Sequence, residues 1–180
     1  MDHLKTIKAP VTRLTLGVNP NVAKYLSWRT FDESWAMVDE GKPAESLPIY
    51  RAFKKYYEAR PLERRQYEAK LLGIASTDGE DIALEWKRRH IQLYHSIKRD
   101  GFDPSKREKP IAARIRGDGA IHLIDGNHTV SILRHLKHRK KVEVEIVERE
   151  QGWLSLKQQL YGLYGEKKLY QPTRHPDLDD

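Results

Sequence analysis

The sequence contains no cysteine. Disulfide cross-links and thiol chemistry are therefore excluded, and a structural zinc site would lack its usual thiolate ligands. No apolar run approaches the length of a membrane span. The opening residues Met1-Asp2-His3-Leu4-Lys5 carry no apolar signal core, so a cytoplasmic protein with no membrane partner is the expectation. Three glycine signatures are also missing: Gly-x-x-x-x-Gly-Lys-Ser/Thr, Gly-x-Gly-x-x-Gly and Gly-x-Ser-x-Gly. Phosphate loops of the P-loop kind, dinucleotide folds and nucleophile elbows thus find no support. There is no His-Glu-x-x-His. The eight histidines offer only His90 with His95 and His135 with His138, of which the second pair shares a helical face, so no metal site is expected.

What is present describes a charged but foldable chain. At 180 residues, it fits one domain over 1–180. Four Trp and nine Tyr argue against disorder, which usually lacks aromatics. A formal net charge of +7 and a pI near 9.5 suit an anionic partner: nucleotide phosphate, nucleic acid or an anionic glycan. Solubility alone also accounts for such a charge.

Alternation over Val11–Leu16 predicts a strand, followed by a turn over Gly17–Asn21. Residues 22–42 are ambiguous, with a short helix expected around Asp32–Val38. Pro48 opens a helix to about Ala59, Pro61 breaks it, and a second runs over Leu62–Leu72. From about Asp81 to Arg99 the pattern is helical, with Trp86, His90, Leu93 and Ile97 on one face and Gly101 as a stop. Pro110 precedes a short strand, Ile111–Ile115. The turn Gly117-Asp118-Gly119 leads into a partner strand, Ala120–Ile124, making a hairpin. A helix over 127–137 buries Val130, Leu133 and Leu136. Val142, Val144 and Ile146 alternate with Glu143 and Glu145 in a further strand. A last helix carries Trp153, Leu156, Leu160 and Leu163 and ends at Gly165, and the tail from Lys167 reads as irregular. The expected fold is α/β, or α+β: a small mixed sheet with surrounding helices and a helix-rich first half.

One stretch stands out. Ile121-His122-Leu123-Ile124-Asp125-Gly126-Asn127-His128-Thr129 carries an apolar strand through a tight turn directly into a helix. Such a helix start presents unpaired N–H groups and partial positive charge, which suits a phosphate. His128 can contact the phosphate or act as a general base; equally, it can simply pack at the helix start. Asp125 can orient His128, accept a hydroxyl proton or hold Mg²⁺ through water, or merely cap the helix. Gly126 allows both the turn and a close phosphate approach. Asn127 and Thr129 can donate to phosphate oxygens or serve as ordinary first-turn residues. Downstream, Arg134-His135-Leu136-Lys137-His138-Arg139-Lys140-Lys141 is the densest basic cluster. It reads either as a nucleic-acid contact or as a solvated helix end. Lys87-Arg88-Arg89-His90 reads as the polar face of its helix.

Residues 90–147 resemble the ParB/sulfiredoxin-like family. The resemblance lies in the helix Leu93-Tyr94-His95-Ser96-Ile97-Lys98-Arg99-Asp100-Gly101, the strand opened by Pro110-Ile111, the glycine turn, Leu123-Ile124-Asp125-Gly126-Asn127-His128, a helix, and the strand Val142–Val147. It implies a core over about 84–150 plus the strand at 11–16, a helical elaboration over about 30–75, and a C-terminal helix and tail over 151–180. Members of that family hold nucleotide phosphates at this helix start, and some use ATP, ADP or CTP. The implied cofactor is therefore a nucleotide with Mg²⁺, and the implied activity a phosphotransferase, kinase or NTPase. The binding residues would be Gly126, Asn127, His128 and Thr129, with His128 and Asp125 catalytic.

Two departures bear on this. Asn127 stands where sulfiredoxins carry their nucleophilic cysteine, which excludes sulfinic acid reduction. Thr129 stands where the family usually has a phosphate-gripping arginine, so that charge must come from Arg114, Arg116 or another basic residue. With about thirty residues after Val147, the further domains of a partition protein are not expected. Two other readings remain: a DNA- or RNA-binding regulatory module of the same fold contacting polyanion through 134–141, and a protein-interaction scaffold using the aromatic helices 50–67.

Overall fold

The computed structural model describes residues 5–17, 26–164 and 175–178. It is a mixed α+β fold with a five-stranded sheet and, among the described residues, six α-helices. Where length alone suggests one domain, the chain gathers into two compact units: Met1–Gly17 with Asp103–Asp180, and Val18–Phe102.

The sheet unit holds all five strands: β1 (Lys5–Ala9), β2 (Leu14–Thr15), β3 (Ile111–Ile115), β4 (Ile121–Asp125) and β5 (Val142–Arg149). Their order is β1-β5-β3-β4-β2. β1 pairs antiparallel with β5, and β3 pairs antiparallel with β4. The β3–β5 and β2–β4 pairs are parallel. Side chains alternate across a strand, so Ile111, Ala113 and Ile115 of β3 bury one face together with Val142, Val144 and Ile146 of β5. The opposite face carries Lys8, Arg114, His122, Glu143 and Glu145, half-buried or exposed.

The expected hairpin is present, its turn closed by Arg116 N–H to the Ala120 carbonyl (2.9 Å) and Gly119 N–H to that of Arg116 (2.8 Å). The expected strand at Val11–Leu16 shrinks to Leu14–Thr15, because Val11–Arg13 winds into a 3-10 turn behind Pro10. The longer N-terminal strand, β1, lies earlier, where Ile7 and Ala9 alternate with charged residues. Of the turn expected at Gly17–Asn21, residues 18–21 lie outside the described residues, as does the helix stop at Gly165.

The helical unit contains α1 (Trp28–Asp39), α2 (Pro48–Glu58), α3 (Leu62–Leu72) and α4 (Gly79–Asp100). Ser27 and Thr30 cap α1 reciprocally. This local signal lies inside the stretch that periodicity leaves ambiguous. Asp78 caps α4 by accepting the Glu80 N–H (2.7 Å). Trp35 stacks on Tyr94 with centroids 5.3 Å apart, and both Tyr94 and Lys98 donate to Asp39 at 2.6 Å. The buried stripe of α4 is Ile82, Ala83, Lys87, Tyr94 and Ile97. Trp86, His90 and Leu93 flank it half-buried, so the expected inward face is turned by about one residue. Lys87 is not on a solvated face. It is 1% exposed, with its ammonium 3.7 Å from the centre of the Phe53 ring, an arrangement that stabilises a cation out of water. Burial pushes its pKa well below the ordinary lysine value.

Two further helices belong to the sheet unit, α5 (Asn127–His135) and α6 (Gln151–Tyr164). The expected helix over 127–137 stops at His135 because Lys137 turns left-handed (φ +53°). The stop is a Schellman arrangement: His138 N–H reaches the Leu133 carbonyl and Lys137 N–H that of Arg134. His138 therefore lies beyond the helix, and His135 and His138 do not share a helical face. On α6, Trp153 is buried whereas Leu156 is exposed. No helix among the described residues is long and apolar enough to cross a membrane.

Candidate functional site

Strand β4 ends at Asp125, and α5 begins two residues later. Gly126 makes that junction with φ +88°, a left-handed conformation favoured by glycine. A Cβ there would also press to 3.2 Å against the Ile111 side chain. Val130, Ile132 and Leu133 of α5 are buried, and the helix packs against the 3-10 turn at Val11–Arg13. As in any helix, the first-turn N–H groups have no preceding helical carbonyl to bind.

Apart from Arg114, the expected site residues are brought to one junction, but Asn127, Thr129 and Asp125 have their side chains engaged. The Asn127 amide holds the backbone of Gly17 from both sides: its Oδ1 accepts the Gly17 N–H (3.3 Å) and its Nδ2 donates to the Gly17 carbonyl (3.1 Å). Gly17 must be glycine for this approach, since an added Cβ would fall 1.2 Å from the Leu123 carbonyl oxygen. Asn127 thus ties the chain after β2 to the helix start. Thr129 is 2% exposed, and its hydroxyl accepts a hydrogen bond from the Arg107 guanidinium. Asp125 is exposed, and its carboxylate accepts the Gly126 N–H at 2.6 Å. His128 is half-buried, and its carbonyl accepts from the Ser131 hydroxyl (2.7 Å).

Arg114 is elsewhere. It pairs in register with His122 on the sheet face opposite the buried one. There, burial pushes the His122 imidazole pKa down, and Arg114 and Arg116 act in the same direction.

The arginine that the junction does have is Arg107, from the loop before β3. One guanidinium nitrogen donates to Thr129, and Nε donates to the Lys109 carbonyl (2.9 Å). Burial lowers its pKa, while the nearby Asp125 carboxylate raises it. This half-buried cation sits where the first turn of α5 lacks one of its own. Periodicity gives no hint of it, because Asp103–Lys109 is a loop. The one signal was indirect: a threonine at 129 required the positive charge to come from another part of the chain.

Sequence reasoning also missed a second polar cluster. Tyr170–Arg174 of the tail lies outside the described residues, but His175–Leu178 is buried against the sheet unit. Asp177 is 0% exposed and receives Arg149 Nη2 (2.6 Å) and Trp153 Nε1 (2.9 Å), with Lys157 Nζ at 3.5 Å. His175 Nε2 donates to the Gly119 carbonyl (2.7 Å), and Nδ1 accepts the Asp177 N–H (3.1 Å). This segment docks at the hairpin turn, the opposite end of β4 from Asp125.

Among the described residues no group of three or more His, Asp or Glu side chains is placed to hold a metal ion. Comparisons of the chain with protein-family models, curated proteins and solved structures return no match.

Proposed function

We propose that the sheet unit binds the phosphates of a nucleotide at the start of α5 and serves phosphoryl transfer or nucleotide hydrolysis there, as a ParB/sulfiredoxin-like protein. The observation that carries this reading is Arg107, a half-buried guanidinium that donates to Thr129 and feels the Asp125 carboxylate at a glycine-hinged helix start. Phosphoryl transfer depends chiefly on positioning and on stabilising charge. The N–H groups of the first turn and the Arg107 cation supply the charge. Asp125, exposed, and His128, half-buried, are the groups that would take the proton of the acceptor hydroxyl or water. Asn127 holds Gly17 rather than ligand, and Arg114 has no part. A nucleotide would bring Mg²⁺ with it, Asp125 being the carboxylate of the junction that would reach the metal through water.

The test is a thermal-shift and calorimetric screen of ATP, ADP, CTP and GTP with Mg²⁺. A ligand at one hundred times its dissociation constant should stabilise the protein by about 2.7 kcal/mol, and Arg107→Ala should remove the effect. No response to any of the four overturns the reading.

A second reading, a regulatory module that binds DNA or RNA, is favoured by the connection between α5 and β5. Lys137, Arg139, Lys140 and Lys141 are all exposed there, and no acidic residue occurs between Gly126 and Val142. Neutralising several phosphates makes affinity fall steeply with salt. A gel-shift series at rising salt separates this from the nucleotide reading.

A further inference from the structure

At the corner between α2 and α3 the helical unit encloses a cavity of about 40 Å³, lined by Tyr56, Tyr57, Arg60, Arg64 and Glu68. Its walls are polar in an unbalanced way. The Arg60 guanidinium lies 4.3 Å over the Tyr56 ring and donates to that residue's hydroxyl. Arg64 follows on the first turn of α3. Neither arginine forms an ion pair among the described residues. The one carboxylate present, Glu68, accepts from the Trp86 indole at 3.3 Å. Two cations and one anion leave the hollow net positive.

Tyr57 adds a second, independent observation. It is 7% exposed, packed edge-on against Tyr56, yet its hydroxyl makes no hydrogen bond among the described residues. The hydroxyl oxygen is not sealed from solvent, so it opens on the hollow it lines and can hydrogen-bond an occupant there. Burial raises the Tyr57 pKa and Glu68 raises it further, while Arg60 opposes them. The phenol therefore stays protonated and is a hydrogen-bond donor. The hollow thus presents two guanidinium groups and an accessible O–H.

We propose that this corner binds a compact tetrahedral oxyanion, a phosphate-type group, gripped by Arg60 and Arg64 and hydrogen-bonded by the Tyr57 hydroxyl. Guanidinium forks match the oxygen spacing of such a group. The cavity is too small for a nucleoside or a peptide side chain in addition. A phosphate carried on a larger molecule would enter with its remainder in solvent.

The experiment uses the full chain, ¹⁵N-labelled, titrated with inorganic phosphate at constant ionic strength against chloride while the arginine Nε–H resonances are followed. Saturable shifts of Arg60 and Arg64 are expected. Arg64→Ala, an exposed position, should weaken binding at least tenfold, and Tyr57→Phe about tenfold, the loss expected of one hydrogen bond to a charged group. Glu68→Gln should tighten it, because it removes the opposing charge. His128→Ala should leave it unchanged, which separates this corner from the start of α5. Shifts that grow linearly and equally with chloride, a Glu68→Gln variant that binds more weakly, or acetate binding as well as phosphate would each overturn the proposal.

Discussion

At its C-terminal end β4 delivers Asp125 to a junction where Arg107 is half-buried and the carboxylate is exposed. At its N-terminal end, the hairpin turn holds His175, beside an Asp177 that is fully enclosed and answered by Arg149, Trp153 and Lys157. Both ends place an arginine near an aspartate. At the tail dock the positive donors converge on one carboxylate, and burial's upward push on the Asp177 pKa is outweighed by the hydrogen bonds from Arg149 and Trp153 and by the charges of Lys157 and Arg149. At the α5 junction the arginine spends its contacts on a threonine hydroxyl and a carbonyl, neither of which neutralises it. The first arrangement is what a structural clasp requires. The second leaves the guanidinium without an ion pair among the described residues, the Asp125 carboxylate acting on it only at a distance, and this is the charge on which the proposed nucleotide site draws.

The sharpest way to break this contrast is at Asp177. Replacing it with Asn should leave the Arg149 guanidinium, 10% exposed, without its counter-charge. Breaking one half of a buried pair typically costs about 3–5 kcal/mol. Hydrogen exchange of the β5 amides and the Trp153 indole N–H would report the loss, and unchanged protection would show the clasp to be dispensable. Arg107→Ala should behave differently. Its main effect should fall on nucleotide affinity, roughly ten- to a hundredfold for a charge-assisted contact, measured by calorimetry with the tightest nucleotide of the screen. An unaltered dissociation constant would return Arg107 to the structural class.

A smaller effect divides the α5 junction internally. Asn127→Ala removes two hydrogen bonds to Gly17, worth about 1–2 kcal/mol together. Denaturant unfolding should register that loss while nucleotide affinity stays close to wild type. A variant that keeps its stability but no longer binds would make Asn127 a ligand contact instead.

The parts of this fold that local chemistry dictates were legible in the chain. Pro48 and Pro61 set α2 and α3, the Gly117–Gly119 turn set the hairpin, and the strand-to-helix passage at Gly126 pointed to the junction. What depends on distant contacts was not legible. Asn127 looks like a phosphate donor until Gly17, 110 residues away, is seen between its amide atoms. Lys87 belongs to a charged run yet is buried over Phe53, because one residue of helix phase, about 100°, decides between solvent and core. Arg107 and the Arg149–Asp177 pair join loop or tail residues to distant partners, and neither periodicity nor spacing encodes such pairs.

The gentlest test concerns pH at the tail dock. The His175 ring donates from Nε2 to the Gly119 carbonyl and accepts at Nδ1 from the Asp177 N–H. Only the neutral imidazole can do both, since protonation places a second hydrogen at Nδ1 facing an N–H donor. Burial holds its pKa below the ordinary 6.5, with Arg13 and Lys157 pushing the same way against the Gly119 carbonyl and Asp177. The undocked tail therefore binds protons more readily than the docked one. The contribution of His175 to docking is complete above pH 6.5 and is lost progressively as pH falls through the lower folded value. Asp177 does not share this window, because its own pKa is held below the ordinary carboxylate value. His122 is also held low, so acidification of the whole sheet unit mixes two histidines. The local readout is the Trp153 indole N–H, whose partner is Asp177 and whose ring lies 4.1 Å from that of His175. Its exchange should quicken between pH 7 and 5 in the natural chain. In His175→Gln, where the side chain keeps a donor and an acceptor but does not titrate, that acceleration should flatten. An equal acceleration in both chains would assign the acid response to another group and leave the clasp insensitive to pH.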